Sequence, residues 1–179
     1  MSALATPAVG DYLNRHFISG FQKVAAFKIN GGQKQGGNVA SYFCTPDGLV
    51  LHAVAGPVNA GHFLREAQWT NETYNMALLD NQRTAPQLRK FFRKAHVARL
   101  QNEQRVHVSL EQLPRAGLSR HGLALLLEQN MHLHLPEQSK VHLLLAAAPL
   151  SPIDQIYQVV FEGILNERVS TNPVAVAGR

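Results

Sequence analysis

Between Gly37 and Trp69 the chain allows one local order without a conflicting residue: strand, tight turn, strand, break, helix. Val39 to Thr45 is rich in residues that suit extended backbone. Thr45-Pro46-Asp47-Gly48 is turn chemistry, because proline presets φ near −65° and glycine takes φ > 0 at no steric cost. Leu49 to Ala55 is a second apolar strand, so the two strands read as a hairpin. Gly56-Pro57 ends it, and Asn59 is placed to cap a helix that carries Phe63, Leu64 and Ala67 inward.

This succession resembles the C-terminal half of thioredoxin-like domains. Upstream, Val9 to Phe17 reads as a helix end entering a strand at Phe21–Ile29, a passage similar to the one that follows the redox helix in that family. The resemblance covers about residues 11–77 and implies an α/β fold, a partial or degenerate thioredoxin-like sheet, followed by a mostly helical C-terminal extension. The chain departs from the family where its chemistry resides. Its one cysteine, Cys44, lies in a strand and not in a Cys-x-x-Cys pair. Val39 stands where the family has its cis-proline, and a cis bond there would cost ~3–4 kcal/mol. The family's mid-sheet strand has no counterpart before Asp11. Asn30 to Asn38 holds four glycines and no apolar residue, which reads as a flexible connector.

The resemblance without the redox residues implies a non-catalytic binding or scaffold module acting through protein–protein contacts. An alternative stays open, a C-terminal fragment of a thiol-disulfide oxidoreductase whose redox motif lies upstream. With the mid-sheet strand missing, Phe21–Ile29 and Val39–Thr45 are expected to pair directly or to recruit a strand from a protein partner or a second copy of the chain.

Composition bounds the rest. At 179 residues, 45% hydrophobic and 16% charged, the chain fits one domain, or one small domain plus an extension. A chain of this size buries roughly 70% of the surface it exposes when unfolded, enough for a core without staples. No apolar run approaches a membrane span, and the first residues lack a secretory signal, so a cytoplasmic location is expected. A single cysteine excludes an internal disulfide framework and a cysteine-based zinc site.

The net charge of +5 arises in one short segment. Residues 81–105 hold seven cations (Arg83, Arg89, Lys90, Arg93, Lys94, Arg99 and Arg105) and one acid, Glu103. Thr84 and Pro86 open a helix there that runs to about Gln104. Leu88, Phe91, Phe92 and Ala95 form its apolar stripe, and Arg89, Lys90, Arg93 and Lys94 lie toward the other side. These four are the candidate partner-binding residues, facing an anionic partner. An acidic protein fits them, and a nucleic-acid backbone gives a further alternative.

Four regions follow: residues 11–80 as the thioredoxin-like part, 81–113 as the basic helical segment, 115–168 as a helical region docked on it, and 169–179 as a flexible tail. Ser119 caps a helix through Leu123–Leu127, Pro136 opens another through Val141–Ala148, and Ser151-Pro152 starts a third carrying Ile156, Val160 and Ile164. Val106 to Leu113 reads equally as strand or helix, and Met131 to Leu135 alternates like a strand.

Few residues point to chemistry. Cys44 has neither a helix N-terminus nor a cation in sequence reach and is expected to be inert. His132 and His134 would share a strand face, with His142 within reach after a turn, but no zinc-ligand spacing appears. His121, His132, His134 and His142 therefore read as surface or core residues. Gly31-Gly32 and Gly36-Gly37 lack the Gly-Lys-Ser/Thr ending of a phosphate loop. The sequence thus assigns no catalytic residue, no cofactor and no metal.

Overall fold

The computed structural model describes residues 3–22, 28–30, 33–35, 38–81, 84–108, 113, 119–129 and 135–169. The fold is mixed α/β and mostly helical. In chain order the elements are α1 (Pro7–His16), β1 (Lys28–Asn30), β2 (Gln33–Gln35), β3 (Ala40–Cys44), β4 (Val50–Ala55), α2 (Ala60–Leu79), α3 (Ala85–Gln104), α4 (Arg120–Gln129), α5 (Glu137–Ala147) and α6 (Ile153–Val159). A π-helical turn, Val160–Ile164, continues α6. No helix among the described residues is long and apolar enough to cross a membrane.

The β3–β4 hairpin forms where the turn chemistry requires it. Gly48 donates its N–H to the Thr45 carbonyl at 2.9 Å and takes φ 80°, a conformation costly for any residue with a Cβ. The strands pair antiparallel, Ala40 with Ala55 and Phe43 with His52, with a bulge between Phe43 and Cys44.

Among the described residues, the expected pairing of Phe21–Ile29 with Val39–Thr45 is not found. Instead β1, at the end of that expected strand, pairs with β2, Ile29 opposite Lys34, and β2 lies inside the segment read as a flexible connector. Gly-Gly between two short runs is hairpin chemistry, a signal that outweighs the lack of apolar residues. Residues 23–27 of the expected strand lie outside the described residues.

The other edge of β4 is closed without a strand. The Leu51 carbonyl accepts from His96 Nε2 at 3.0 Å, and the Ala53 carbonyl accepts from Gln138 Nε2 at 2.8 Å. Val50 donates its N–H to the Ser151 carbonyl at 2.9 Å, and Leu49 bridges to Pro152. Helix side chains and a loop thus satisfy groups that a neighbouring strand would otherwise take.

All six residues of β4 are buried, because it has helices on both faces. Val54 packs with Val9, Phe63 and Ala67 from α1 and α2. Ala53 and Ala55 pack with Leu123, Val141, Leu144 and Ile156 from α4, α5 and α6. The C-terminal helices therefore share one core with the hairpin. Helix α5 is apolar on every side from Val141 to Ala147, apart from His142, and is buried along that length. Leu144 and Ile156 are wholly buried, each worth about 1.5–3 kcal/mol of transfer free energy.

Helix starts follow the local chemistry. His62 donates its N–H to Asn59 Oδ1 at 2.8 Å, capping α2. Gln87 Oε1 accepts from the N–H and the hydroxyl of Thr84 at 3.1 and 2.7 Å, fixing the entry to α3. Gly122 donates to Ser119 Oγ at 3.2 Å at the start of α4. Residues 105–108 leave α3 without forming a strand, and most of the remaining Val106–Leu113 and Met131–Leu135 segments lies outside the described residues.

Candidate functional site

Three histidines from three elements converge where β4, α3 and α5 meet. His52 is the one polar residue of β4, His96 lies on the inner side of α3, and His142 interrupts the apolar run of α5. All three are buried, at 0%, 1% and 3% exposure. One ring nitrogen from each lies within 4.8 Å of those of the other two. A fully buried triad of imidazoles is costly to desolvate, and the neighbouring groups show how it is tolerated.

Hydrogen bonds fix two of the three tautomers. His96 donates Nε2–H to the Leu51 carbonyl, which leaves a bare lone pair on Nδ1. His52 donates Nε2–H to Glu66 Oε2 at 2.7 Å, which likewise frees Nδ1. Nδ1 of His96 meets Nδ1 of His142 at 2.9 Å. His52 Nδ1 and His142 Nε2 are buried with no hydrogen-bond partner. Each such orphan costs about 1–3 kcal/mol, and two of them belong to rings of this cluster.

A second set of side chains holds the first. Glu66 Oε1 accepts from Arg99 Nη2 at 2.8 Å, and Arg99 Nε donates to Glu103 Oε1 at 2.8 Å. A chain of contacts thus runs from half-exposed Glu103 through Arg99 and Glu66 to His52. The indole of Trp69 packs against all three imidazoles, with ring centroids 4.9, 5.2 and 5.5 Å from His52, His96 and His142. The Arg99 guanidinium lies 4.6 Å from the centre of the same indole. Thr70, one turn from Glu66, returns its hydroxyl to the Glu66 carbonyl at 2.7 Å and adds no charge to the site.

The electrostatics follow from burial. Desolvation holds His96 and His142 well below the ordinary imidazole range, and the neighbouring charges of His52 and Arg99 push the same way. Burial also lowers His52, against the pull of Glu66. Burial raises Glu66, but its hydrogen bond from His52 and the Arg99 charge outweigh that and leave it ionised. The state is three neutral imidazoles beside a carboxylate–guanidinium pair. The His52–Glu66 contact has the form of a general-base dyad, yet its burial leaves a substrate no approach. Neutral imidazoles with converging lone pairs, one of them held by a carboxylate behind it, are instead a metal-ligand arrangement.

Apart from His142, the residues singled out from sequence lie elsewhere. Of the four cations on α3, Lys90 and Lys94 are exposed, and Arg89 is half-buried. Arg93 turns inward and donates Nη2–H to the Ala147 carbonyl at 3.1 Å, capping the C-terminal end of α5. Phe92 is wholly buried, as the apolar stripe requires. Burial raises the Cys44 thiol to about 11, which keeps it protonated at neutral pH. His121 is exposed, and His132 and His134 lie outside the described residues. His142 gathers with His52 and His96, residues that carry no local spacing signal because they stand 44 and 46 positions apart. Context marks two of them: His52 and His142 are each set among apolar neighbours in a buried strand or helix, whereas His96 lies on the inner face of a helix rich in cations.

Comparison with protein-family models, with curated proteins and with solved structures finds no match to the chain.

Proposed function

We propose that this protein binds a metal ion through His52, His96 and His142. The observation that carries the reading is the convergence of three buried imidazoles, with Nε2–H of His52 and of His96 already committed to Glu66 and to the Leu51 carbonyl. Ligands around an ion at ~2.0 Å stand roughly 3.3–3.5 Å apart. The 2.9 Å His96–His142 contact opens by a few tenths of an ångström to reach that spacing, and the 4.8 Å outer limit closes by about 1.3–1.5 Å. Glu66 and Arg99 act as positioning residues that set the tautomer of His52.

The test is a fluorescence titration of the full chain with metal ions. Trp69 is the only tryptophan, so its emission reports directly on the triad. Saturation at one equivalent, abolished in a folded His96→Gln variant, supports the reading. Emission that does not respond to any first-row ion refutes it.

A second reading, partner binding, rests on the exposed Lys90 and Lys94 with half-buried Arg89 on one helix. The thioredoxin-like reading of residues 11–77 is supported by the succession β3, β4, α2, and a binding or scaffold role for that region is compatible with a buried metal. Binding to an acidic protein that weakens with salt, and is lost in a Lys90→Glu/Lys94→Glu variant, would support this second role.

A further inference from the structure

We infer that the ion is monovalent and three-coordinate, copper(I) in chemical class and not zinc(II). The inference rests on the metal-binding reading above and asks what the centre selects.

The donor count comes first. Among the described residues, His52, His96 and His142 are the one group of histidine, cysteine or acidic side chains arranged to hold an ion. The nearest carboxylate is spent: Glu66 Oε2 takes the His52 proton donor, and Oε1 takes Arg99. Zinc(II) is held almost always by four donors, with water completing a three-residue site. Here the indole of Trp69 packs on the three imidazoles and all three are buried, and no described acid, cysteine or further histidine joins them as a fourth donor. Copper(II) prefers four donors in a square and is no better served. Copper(I), with a filled d shell and no geometric demand, is satisfied by three imidazoles in a plane.

Charge points the same way. Glu66 and Arg99 cancel, and an imidazole that ligates an ion does so in its neutral form. The charge of the ion is therefore the net charge of the buried centre. The cost of burying an ion grows with the square of its charge, so a site without an anionic ligand disfavours a divalent ion far more than a monovalent one. Sites that retain divalent ions in dry interiors supply thiolates or carboxylates to offset them. Among the described residues this one has none and adds a guanidinium, whose Nη1 is itself buried without a partner.

The experiment is a metal competition on the full chain under anaerobic reducing conditions. Copper(I) is delivered from its bicinchoninate complex, zinc(II) is titrated separately, and both are followed by Trp69 emission. X-ray absorption at the metal edge then counts donors. The expected result is one copper(I) per chain with three nitrogen donors, and zinc(II) weaker by on the order of a hundredfold. In Arg99→Met, loss of the guanidinium is expected to narrow that preference. Where this variant does not fold, the wild-type competition and donor count still decide. Zinc(II) bound as tightly as copper(I), or a four-donor edge spectrum, overturns the inference while leaving the metal reading intact. No binding of either ion overturns both.

Discussion

His96 and His142 meet nitrogen to nitrogen, Nδ1 to Nδ1, at 2.9 Å with both rings buried. Two neutral imidazoles in this position share one proton, carried by His142, because His96 has committed its own to the Leu51 carbonyl. That arrangement satisfies one contact and leaves His142 Nε2 and His52 Nδ1 without partners. A metal ion held by Nδ1 of His96 and of His142 takes the place of the shared proton, which moves to His142 Nε2, and takes up the unused lone pair of His52 Nδ1.

Metal binding is therefore expected to stabilise the fold. An ion at a thousand times its dissociation constant adds about 4 kcal/mol. For a chain of this size each kcal/mol raises Tm by roughly 2–4 °C, so thermal scans with and without metal should differ by about 8–16 °C. A coincident pair of melting curves would count against the site.

Glu66 is expected to matter without touching the ion. In Glu66→Gln, His52 loses the carboxylate that orients it, and metal affinity should fall about 10–100-fold. The same change leaves Arg99 with Glu103 alone, so stability should drop by about 3–5 kcal/mol. Denaturant melts and metal titrations separate the two effects. A variant with unchanged affinity would remove Glu66 from the site.

Acid should unfold the metal-free protein early. His96 and His142 are held below their unfolded values, so below about pH 6.5 the unfolded chain binds more protons than the folded one. Stability is full above that pH and is lost as pH falls, with a slope approaching ~2.7 kcal/mol per pH unit when both groups are linked. Glu66, also depressed, adds further loss below the carboxylate range. Glu66, Arg99 and His62 face the cluster and shift the midpoint, not the sign. Denaturant melts at pH 7 and pH 5.5 measure the slope, and equal midpoints would contradict it.

Cys44 should resist alkylation. Its thiol is pushed up to about 11, so at a given neutral pH its thiolate fraction is on the order of a hundredfold below that of an ordinary cysteine. Iodoacetamide should label it slowly in the native protein and at the ordinary rate in denaturant. Rapid native labelling would place the thiol in a different environment from the one described.

Much of the fold was legible because its signals are local. Asn59, Thr84 with Gln87, and Ser119 all cap the helices that their spacing implies, and Pro46-Asp47-Gly48 turns the hairpin. The β1–β2 hairpin is hard to read in the sequence because its strands are short and mostly polar, so its glycines look like a linker. The basic stripe was read from helical phase alone. Phase places Arg93 with Lys90 and Lys94, but the end of α5 recruits it as a cap. The histidine centre is the least local feature of all. No spacing rule links His52, His96 and His142, since β4, α3 and α5 meet only in the packed core. A single polar residue in an otherwise apolar buried run is the trace that His52 and His142 leave in the sequence, and His96 leaves none.

The most direct test of the account is the metal content of the folded chain, measured by native mass spectrometry after incubation with copper(I) and with zinc(II). The account predicts one ion per chain in the wild type and none in a folded His52→Gln/His142→Gln variant. A wild-type chain that stays metal-free, or a variant that retains the ion, would contradict it.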